Sequence, residues 1–297
     1  MLRSQQTCRS ASVLYRPEPF HLGKWPTVRS CAIKRVSDDE PLKCTRLWNS
    51  YYLSSEERRA LQQAVTSRRS VNAHVDLVSE GELADSLLFI VEGWACRYAT
   101  TIGGGRHFSA LLVPGDLCNL EALLIDRPDC GVRTMTAATI VALPRELALA
   151  LATQHSGIAR AFTWLALVEN AILAKWALSL GRRSAKEKLA HLFCELSLRV
   201  GAQEREYEVS FNFPPTQEQI ADAVGLTAVH VNRTMQVLRA EGLVAIASRI
   251  MTLSDVPRLR QIGGFDPGYL HLDRVRANTQ PPLVNPNYPR SRSRRGS

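Results

Sequence analysis

Apolar positions between residues 215 and 244 recur at steps of three and four, which is the spacing of amphipathic helices. They predict one short helix from Gln217 to Val224, capped by Thr216, and a second helix that begins at Thr227. Gly225 supplies the sharp turn between the two helices. The side chains predicted to point inward are Ile220, Ala221 and Val224 on the first helix and Val231, Met235 and Leu238 on the second.

The outward side of the second helix carries groups that can hydrogen-bond to base edges and phosphates. These groups are His230, Asn232, Arg233 and Gln236. Two helices joined by a short glycine-containing turn are typical of a helix-turn-helix, whose second helix fits the major groove of DNA. An ordinary surface hairpin of helices is the alternative. Two short β-prone runs follow, around Ser248 and Arg249, and predict a wing, so we interpret residues 215–253 as a winged helix-turn-helix.

The N-terminal half has a different pattern. Ser54 to Glu57 predicts a helix start, and the helix is expected to end near Val65. From Val71 to Leu143, turn signals recur about every ten residues, which predicts an antiparallel sandwich or roll. Residues 103–106 (GGGR) predict a hairpin turn, since the signature of a phosphate-binding loop is missing. The predicted strands are Leu87–Val91, Ala95–Thr101, His107–Val113, Thr134–Ala138 and Thr139–Leu143.

The pattern turns helical after Pro144, with a short helix from Arg145 to Ala152. A helix of about 24 residues is predicted to start behind Ser156 and to end before Gly181. Two of its sides are apolar, so we predict that one packs on its own domain and the other on the same helix of a second subunit. Burial in a single monomer core is the alternative. The residues predicted for the dimer interface are Ile158, Phe162, Leu165, Ile172 and Trp176.

Charge and cysteine content change this picture little. The net charge of +9 lies in the tails: residues 1–40 carry seven basic and four acidic residues, residues 256–297 carry eight and two, and the remainder is neutral. Both tails lack sustained periodicity and are predicted to be poorly ordered. The chain has seven cysteines without a Cys-x-x-Cys pair, which fits reduced thiols in the cytoplasm. Its most apolar window, 158–180, contains Glu169, Asn170 and Lys175, so no membrane span is expected.

The order of these elements resembles the Crp/Fnr family of bacterial transcription regulators. Four stretches carry the resemblance: LLFIVEGWACRY (87–98), LVPGDL (112–117), SAKEKLAHLFCEL (184–196) and TQEQIADAVGLTAVHVNRTMQVLRAEGLV (216–244). The resemblance implies a cytoplasmic homodimer that binds a near-palindromic operator on double-stranded DNA, with RNA polymerase as a further partner and no membrane. It also implies that a small-molecule or redox signal enters through the roll.

The predicted fold class is therefore α+β: an antiparallel, cyclic-nucleotide-binding-like β-roll, a long dimerisation helix and a C-terminal winged helix-turn-helix, between disordered tails. The predicted segments are 1–44 for the weakly ordered extension, 45–152 for the sensor domain, 153–182 for the dimerisation helix, 183–255 for the DNA-binding domain and 256–297 for the basic tail.

The predicted sensor pocket departs from the cyclic-AMP-responsive members of the family. Those members hold the ribose with a Gly-Glu pair, matched here by Asn119 and Leu120, and the cyclic phosphate with an Arg-Ser pair, matched by Asp129 and Cys130. An aspartate would repel a phosphate, so cyclic AMP is not expected to bind in the usual way. Cys118 completes the predicted pocket, and a thiol switch between it and Cys130 stays an alternative to simple burial.

Other cofactors have weaker signals. The N-terminal cysteines are too scattered for the family's iron–sulfur cluster, whereas haem stays open with His74 and His107 as candidate ligands. The effector is therefore left unknown. No metal cluster and no nucleophile–base pair stand out, so we predict neither a metal site nor catalytic residues, and the chain is not interpreted as an enzyme.

The recognition helix also departs from the family, which presents a base-reading glutamate where this chain has Val229. Valine can contact a thymine methyl but cannot accept a hydrogen bond from cytosine. Arg233 matches the family arginine that binds guanine, with His230 and Asn232 beside it. The residues predicted to hold phosphates are Thr216, Gln217 and Thr227. The alternative function is a sensor module for another ligand or redox signal whose output is not DNA binding.

Overall fold

The structure is a computed structural model and describes residues 41–204 and 207–272. After α1 (Ser55–Ala64), seven strands form a roll of two antiparallel sheets, one of three strands in the order β1-β7-β3 and one of four in the order β2-β6-β4-β5. The strands are β1 (Ser67–Val71), β2 (Asp76–Val78), β3 (Ser86–Glu92), β4 (Ala95–Thr100), β5 (Arg106–Leu112), β6 (Gly131–Thr134) and β7 (Ala138–Pro144).

Four of the five predicted strands are confirmed as β3, β4, β5 and β7, and residues 103–106 lie in the β4–β5 hairpin as predicted. The predicted strand Thr134–Ala138 is wrong, because the strand ends at Thr134 and the Thr136 hydroxyl accepts a hydrogen bond from the Trp94 amide in a turn. β1 and β2 were not predicted. β1 lies at a sheet edge, has the sequence SRRSV and buries none of its residues, so it carries no apolar alternation.

Three helices link the roll to the rest of the chain: α2 (Arg145–Gln154), α3 (Ser156–Arg182) and α4 (Ala185–Arg199). α3 has 27 residues and is longer than predicted, because Ser156 is its first residue and Gly181 lies inside it. The Glu57 carboxylate of α1 accepts a hydrogen bond of 2.8 Å from the Gly157 amide, one of the N–H groups that a helix start leaves without an intrahelical partner. α1 therefore fixes the start of the long helix.

Among the described residues, only α3 is long and apolar enough to cross a membrane, with a mean hydropathy of 1.3 over its most apolar window. Of that window, 44% is buried inside the protein. A core helix passes the same test, so this finding is weak evidence for a membrane span. The absence of a membrane span stays a prediction.

The C-terminal unit contains β8 (Val209–Asn212), α5 (Gln217–Val224), α6 (Ala228–Ala240), β9 (Val244–Ala247), β10 (Ile250–Leu253) and α7 (Val256–Gly263). Both predicted helices and the wing are confirmed, and β8 adds a third antiparallel strand to the wing. The predicted boundary at residue 255 is wrong. Val256 and Leu259 of α7 are buried. The Gly263 backbone packs so closely against α4 that a Cβ at this position would lie 2.6 Å from the backbone nitrogen of His191.

The predicted tails lie mostly outside the described residues. At the N-terminal boundary, Leu42 is fully buried in the core, so the folded part begins before the predicted residue 45. At the C-terminal side, a 3-10 turn follows α7 and buries Leu270.

A buried ionic network joins the roll to the C-terminal unit. The Arg199 guanidinium of α4 donates to the Asp116 carboxylate at 2.7 Å, to the Leu111 carbonyl of β5 at 2.8 Å and to Glu195 at 2.9 Å. Burial alone would raise the pKa of Asp116, but Arg199 and Arg46 more than offset it and hold that pKa below its usual range. Asp116 is thus ionised and paired.

The same network continues toward α3 and the C-terminal turn. The fully buried Glu195 carboxylate accepts hydrogen bonds from the Trp176 indole at 3.1 Å and from the Tyr269 hydroxyl at 2.7 Å. Aromatic packing adds a second link, because the Phe213 ring lies edge-on to Trp94 of the roll and to Phe193 of α4. The roll, α3 and the C-terminal unit are therefore held together by groups that lie away from solvent.

Candidate functional site

The two helices of the helix-turn-helix are fixed by local hydrogen bonds. The Thr216 hydroxyl accepts from the Gln219 amide at 3.2 Å, while the Gln219 side chain accepts from the Thr216 amide at 2.9 Å. Gly225 ends α5 in the left-handed region at φ 62°, and a Cβ there would lie 2.8 Å from the Leu180 side chain. Thr227 caps α6 by accepting from the His230 amide at 3.2 Å. The left-handed conformation of the turn therefore favours a glycine.

α6 presents an open polar surface. Val229 is 71% exposed, and His230, Arg233 and Gln236 are exposed beside it. A groove of about 370 Å³ runs between the N-terminal ends of α5 and α6. Its lining residues are Gln217, Ala228, Val229, Asn232, Arg233 and Gln236. The predicted base-reading and phosphate-holding side chains thus share one surface, and the buried side of α6 holds the predicted Val231, Met235 and Leu238.

Four predicted contact residues already have intramolecular partners. Asn232 is half-buried, and its side chain donates to the side-chain oxygen Oε1 of Gln217 at 2.9 Å. The side-chain NH2 group of Gln217 stays available to donate to a phosphate. The hydroxyls of Thr216 and Thr227 act as acceptors in the helix caps, so each can still donate its own proton. Asn232 is therefore placed to orient Gln217 as well as to contact DNA.

The wing tip contributes a cation that the sequence argument did not use. Ser248 and Arg249 form the two-residue turn with φ values of 51° and 63°, and both side chains are exposed. The Arg249 carbonyl accepts from the Phe213 amide at 2.7 Å, which ties the turn to the segment before α5. A two-residue turn between β-prone runs signals such an exposed position, and Arg249 can be added to the candidate phosphate-binding residues.

The predicted sensor-pocket residues differ in their burial and in their partners. Cys118 and Leu120 are buried, whereas Asp129 is exposed and Cys130 is half-buried. The buried Asn119 side chain accepts from the Leu88 amide at 2.8 Å and donates to the Ser86 carbonyl at 2.9 Å. Asn119 therefore completes the edge of β3, and both polar atoms of its side chain are engaged within the chain.

Arg97 lies between the roll and α3, and sequence reasoning missed it. Its guanidinium donates to the Cys118 carbonyl at 2.8 Å and to Glu169 of α3 at 3.4 Å, with the Glu121 carboxylate 4.0 Å away. Burial raises the pKa of Glu169 above its ordinary value, against the opposing effect of Arg97. The one signal in the sequence was Glu169 itself, the single acidic interruption of an apolar helix. A salt bridge within the protein thus occupies this region.

Neither redox nor haem chemistry gains support from these groups. Burial raises the pKa of the Cys96 thiol to about 12 and also raises the pKa values of Cys118 and Cys130, which disfavours the reactive thiolate. His74 is exposed in a turn at φ 64°, and His107 is half-buried on β5. Within the described residues, no group of three or more histidine, cysteine or acidic side chains is arranged to hold a metal ion.

The residues predicted for the dimer interface belong to the core of the single chain. All five are at most 7% exposed within the protomer, so the predicted assignment needs correction. These residues are Ile158, Phe162, Leu165, Ile172 and Trp176. The second predicted side is covered too, since Trp164 and Val168 are buried. α3 instead exposes a third side, which we call the α3 free face: Thr163, Ala166, Leu167, Asn170, Leu173, Ala174, Ala177 and Leu178.

Comparison with known proteins agrees with this architecture. The sequence profile of the cyclic nucleotide-binding domain matches residues 68–155, and that of the Crp-like helix-turn-helix domain matches residues 187–262. The transcriptional activator protein FnrL of Cereibacter sphaeroides is 27% identical over 216 residues, which cover 71% of this chain and 86% of that protein.

Two further similarities extend this result. The nitrogen fixation regulation protein FixK of Azorhizobium caulinodans is 25% identical over 189 residues, or 63% of this chain and 75% of FixK. The solved structure of FixK2 from Bradyrhizobium japonicum has the same fold, with a TM-score of 0.61 at 22% identity over 67% of this chain and 96% of that one.

Proposed function

The chain belongs to the Crp/Fnr family of DNA-binding transcription regulators, and we propose that it acts as a cytoplasmic homodimer on a near-palindromic operator. The observation that supports operator binding is the exposed, hydrogen-bonding surface of α6 beside an open groove. RNA polymerase is the proposed further partner. The relatives of this chain are transcription regulators, so a role in regulation rather than catalysis fits the chain.

The proposed dimer forms through the α3 free face. Leu167 is 62% exposed and Leu173 is 51% exposed, and removal of such side chains from water favours association. Alanines between the leucines allow two helices to approach closely, and Asn170 lies in the middle of the surface. A single asparagine in an apolar helical seam favours one register and two strands, because it hydrogen-bonds to its own copy.

The proposed readout divides the surface of the helix-turn-helix into base and phosphate contacts. Arg233 would form two hydrogen bonds to a guanine, and Val229 would contact a thymine methyl. His230 and Asn232 lie beside them and would add base or phosphate contacts. The groups proposed to hold phosphates are Thr216, Gln217 and Thr227.

The sensor domain is proposed to work without the usual cyclic-AMP contacts. Asn119 uses its side chain within β3, Arg97 is paired with Glu169, and Asp129 stands where a cation is needed. An anionic ligand in this region would have to compete with two carboxylates for one guanidinium, since Glu121 is also nearby. We therefore propose no direct response to cyclic AMP.

Selection from random double-stranded DNA tests the operator proposal. The full chain is expected to recover a motif with two-fold symmetry and half-sites about 10 base pairs apart, centre to centre. Arg233→Ala should relax the motif at one base pair of each half-site. Arg239→Ala is the matched control, because it removes the same charge from an exposed position of α6 that faces another way. An asymmetric motif, or one that Arg233→Ala leaves unchanged, would contradict the proposal.

Light scattering tests the dimer. Leu167→Glu places a charge on the α3 free face and should convert the dimer to a monomer with an unchanged circular dichroism spectrum. Leu124→Glu is the control, because Leu124 is also exposed but lies on the roll. A wild-type monomer at working concentrations, with and without DNA, would rule out the proposed assembly.

A further inference from the structure

One exposed ion pair connects the sensor roll directly to the helix-turn-helix. Arg106 begins β5 directly after the turn of the β4–β5 hairpin, and Asp222 lies on α5. The Arg106 Nε and Nη2 atoms donate to the Asp222 Oδ2 atom at 2.9 and 2.6 Å. The guanidinium also lies over the Phe108 ring, 5.0 Å from its centroid, which holds the arginine in place from the other side.

The position of Asp222 matters because α5 carries the recognition helix. The buried side of α5 packs into the C-terminal unit through Ile220 and Val224, while Asp222 points to the roll. The contact leaves the groove between α5 and α6 open. A contact at this point can therefore orient the DNA-reading surface without covering it.

Two other contacts hold the unit deeper in the molecule. Arg199 is paired with Asp116 in the buried network, and the buried Phe213 ring lies edge-on to the buried Trp94 ring of the roll. Both contacts belong to the core. The Arg106–Asp222 pair is peripheral, with side chains 43% and 22% exposed, so it can be changed without opening the core.

We propose that Arg106 and Asp222 are positioning residues for operator binding: they fix the angle of the helix-turn-helix on the roll. This proposal rests on the proposed dimer and operator. In a dimer, the separation of the two recognition helices must match the spacing of the half-sites, about one helical turn of DNA. A small rotation of each helix-turn-helix about its deep contacts changes that separation. The ion pair fixes this separation from the exposed edge of the contact between the roll and the helix-turn-helix, where a given rotation produces the largest displacement.

The test measures affinity for the selected operator and for the same operator with one base pair inserted between the half-sites. Arg106→Glu and Asp222→Arg should each weaken operator binding about tenfold and reduce the preference for the native spacing. The double variant Arg106→Glu with Asp222→Arg restores an opposite-charge pair at unchanged net charge, and should recover both the affinity and the preference. Arg106→Gln supplies a milder variant without charge reversal.

Arg133→Glu is the matched control. Arg133 pairs with Asp76 inside the roll at 3.8 Å, with similar exposures of 42% and 38%, and the substitution changes the net charge by the same amount. Arg133→Glu leaves the Arg106–Asp222 pair intact, so its operator affinity should differ from that of the wild type only by the effect of the changed net charge.

The outcomes separate the two proposals. If the wild-type chain selects no operator, the proposed function fails. If it binds its operator but Arg106→Glu behaves like Arg133→Glu, the positioning role is overturned. Losses in the double variant that equal the sum of the single losses, or an unchanged spacing preference in every variant, would overturn it as well.

Discussion

The helix-turn-helix and the roll segment from Asp116 to Gly131 both carry polar side chains, but they direct them to different partners. On α6, His230, Arg233 and Gln236 point away from the protein. In the roll segment, Asp116 and Asn119 are buried and bind groups of the same chain. The first region has hydrogen-bonding capacity to offer a partner, whereas the second has largely used its own.

The difference arises from what each region must satisfy internally. A short helix pair closes its hydrogen bonds through caps and backbone, so its outward side chains stay available. The roll segment leaves the regular strands after β5, and its backbone pairs with β3 only around Leu117. Asn119 pairs two of the groups on β3, and Arg97 reaches the Cys118 carbonyl. Internal structural demands therefore account for Asn119, one of the residues of the predicted sensor pocket.

Arg199→Met offers the largest test of this comparison. The substitution would leave the buried Glu195 carboxylate without its cation and Asp116 with Arg46 alone, which is expected to lower the free energy of unfolding by about 3–5 kcal/mol. Chemical denaturation at pH 7 measures it. Lys186→Met is the control, because Lys186 pairs with Glu241 at 2.6 Å on the surface and should cost less than about 1 kcal/mol. Equal effects of the two substitutions would contradict the stabilising role of the buried Arg199 network.

The pH dependence of stability tests the same inward-facing region through His191. Burial, together with the nearby charges of Arg183 and Lys175, lowers the pKa of His191 to about 4. The unfolded chain binds the proton near pH 6.5, so the stability that neutral His191 provides is complete above that pH and is lost as pH falls through 4.

Denaturation at pH 7 and at pH 4.5 should therefore show a larger loss for the wild type than for His191→Gln. The expected difference between the two losses is about 2–3 kcal/mol. The pairwise comparison removes the contribution of acidic groups that titrate in both proteins. Identical losses would mean that the imidazole is charged in the folded state, in conflict with its burial among Phe265, Tyr269 and the Gly263 carbonyl.

Local signals in the sequence predicted the elements of the helix-turn-helix, since caps, the turn glycine and helical spacing all lie within a few residues of one another. The side of the long helix that faces a second subunit was predicted wrongly, because the five residues assigned to it are buried within the protomer. α3 has three apolar sides, and spacing alone does not tell which two of them the protomer covers. Its free face is recognisable only when the positions of the roll and α4 are known.

Contacts between residues that lie far apart along the chain could not be predicted from the sequence either. Arg97 and Glu169 are 72 positions apart, and Arg199 and Asp116 are 83 apart, so no periodicity links them. α7 was assigned to the tail because its arginines share the basic composition of the residues that follow. The burial of Val256 and Leu259 becomes evident only when the position of α4 is known.

Val229→Glu tests whether the outward-facing surface of α6 reads base pairs. A carboxylate at this position can accept a hydrogen bond from cytosine, which valine cannot, so the preferred half-site should gain a C·G pair at one position. Discrimination at that pair is expected to change by about 1–3 kcal/mol, while the free energy of unfolding stays almost constant because Val229 is exposed. Selection from random DNA measures the first quantity, and chemical denaturation measures the second.

Gln217→Ala is the companion variant on the same surface. Its amide is proposed to hold a phosphate, so its loss should weaken all DNA sequences about equally and leave their ranking unchanged. A changed ranking would instead place Gln217 among the base-reading residues. An unchanged motif for Val229→Glu would mean that this turn of α6 does not approach the bases.

The smallest expected effect is that of cyclic AMP on the wild-type chain. Asp129 offers a negative charge where the phosphate would lie, and Arg97 is already bound to Glu169 and to the Cys118 carbonyl. Calorimetry should show no heat beyond dilution, and 1 mM cyclic AMP should leave the unfolding transition unmoved. A ligand that bound only the folded state with a Kd of about 10 μM would stabilise it by about 2.7 kcal/mol at a hundredfold excess over Kd. A shift of that size would show that the roll accepts a cyclic nucleotide through contacts other than the family's, and the contrast between the two regions would then fail on the sensor side.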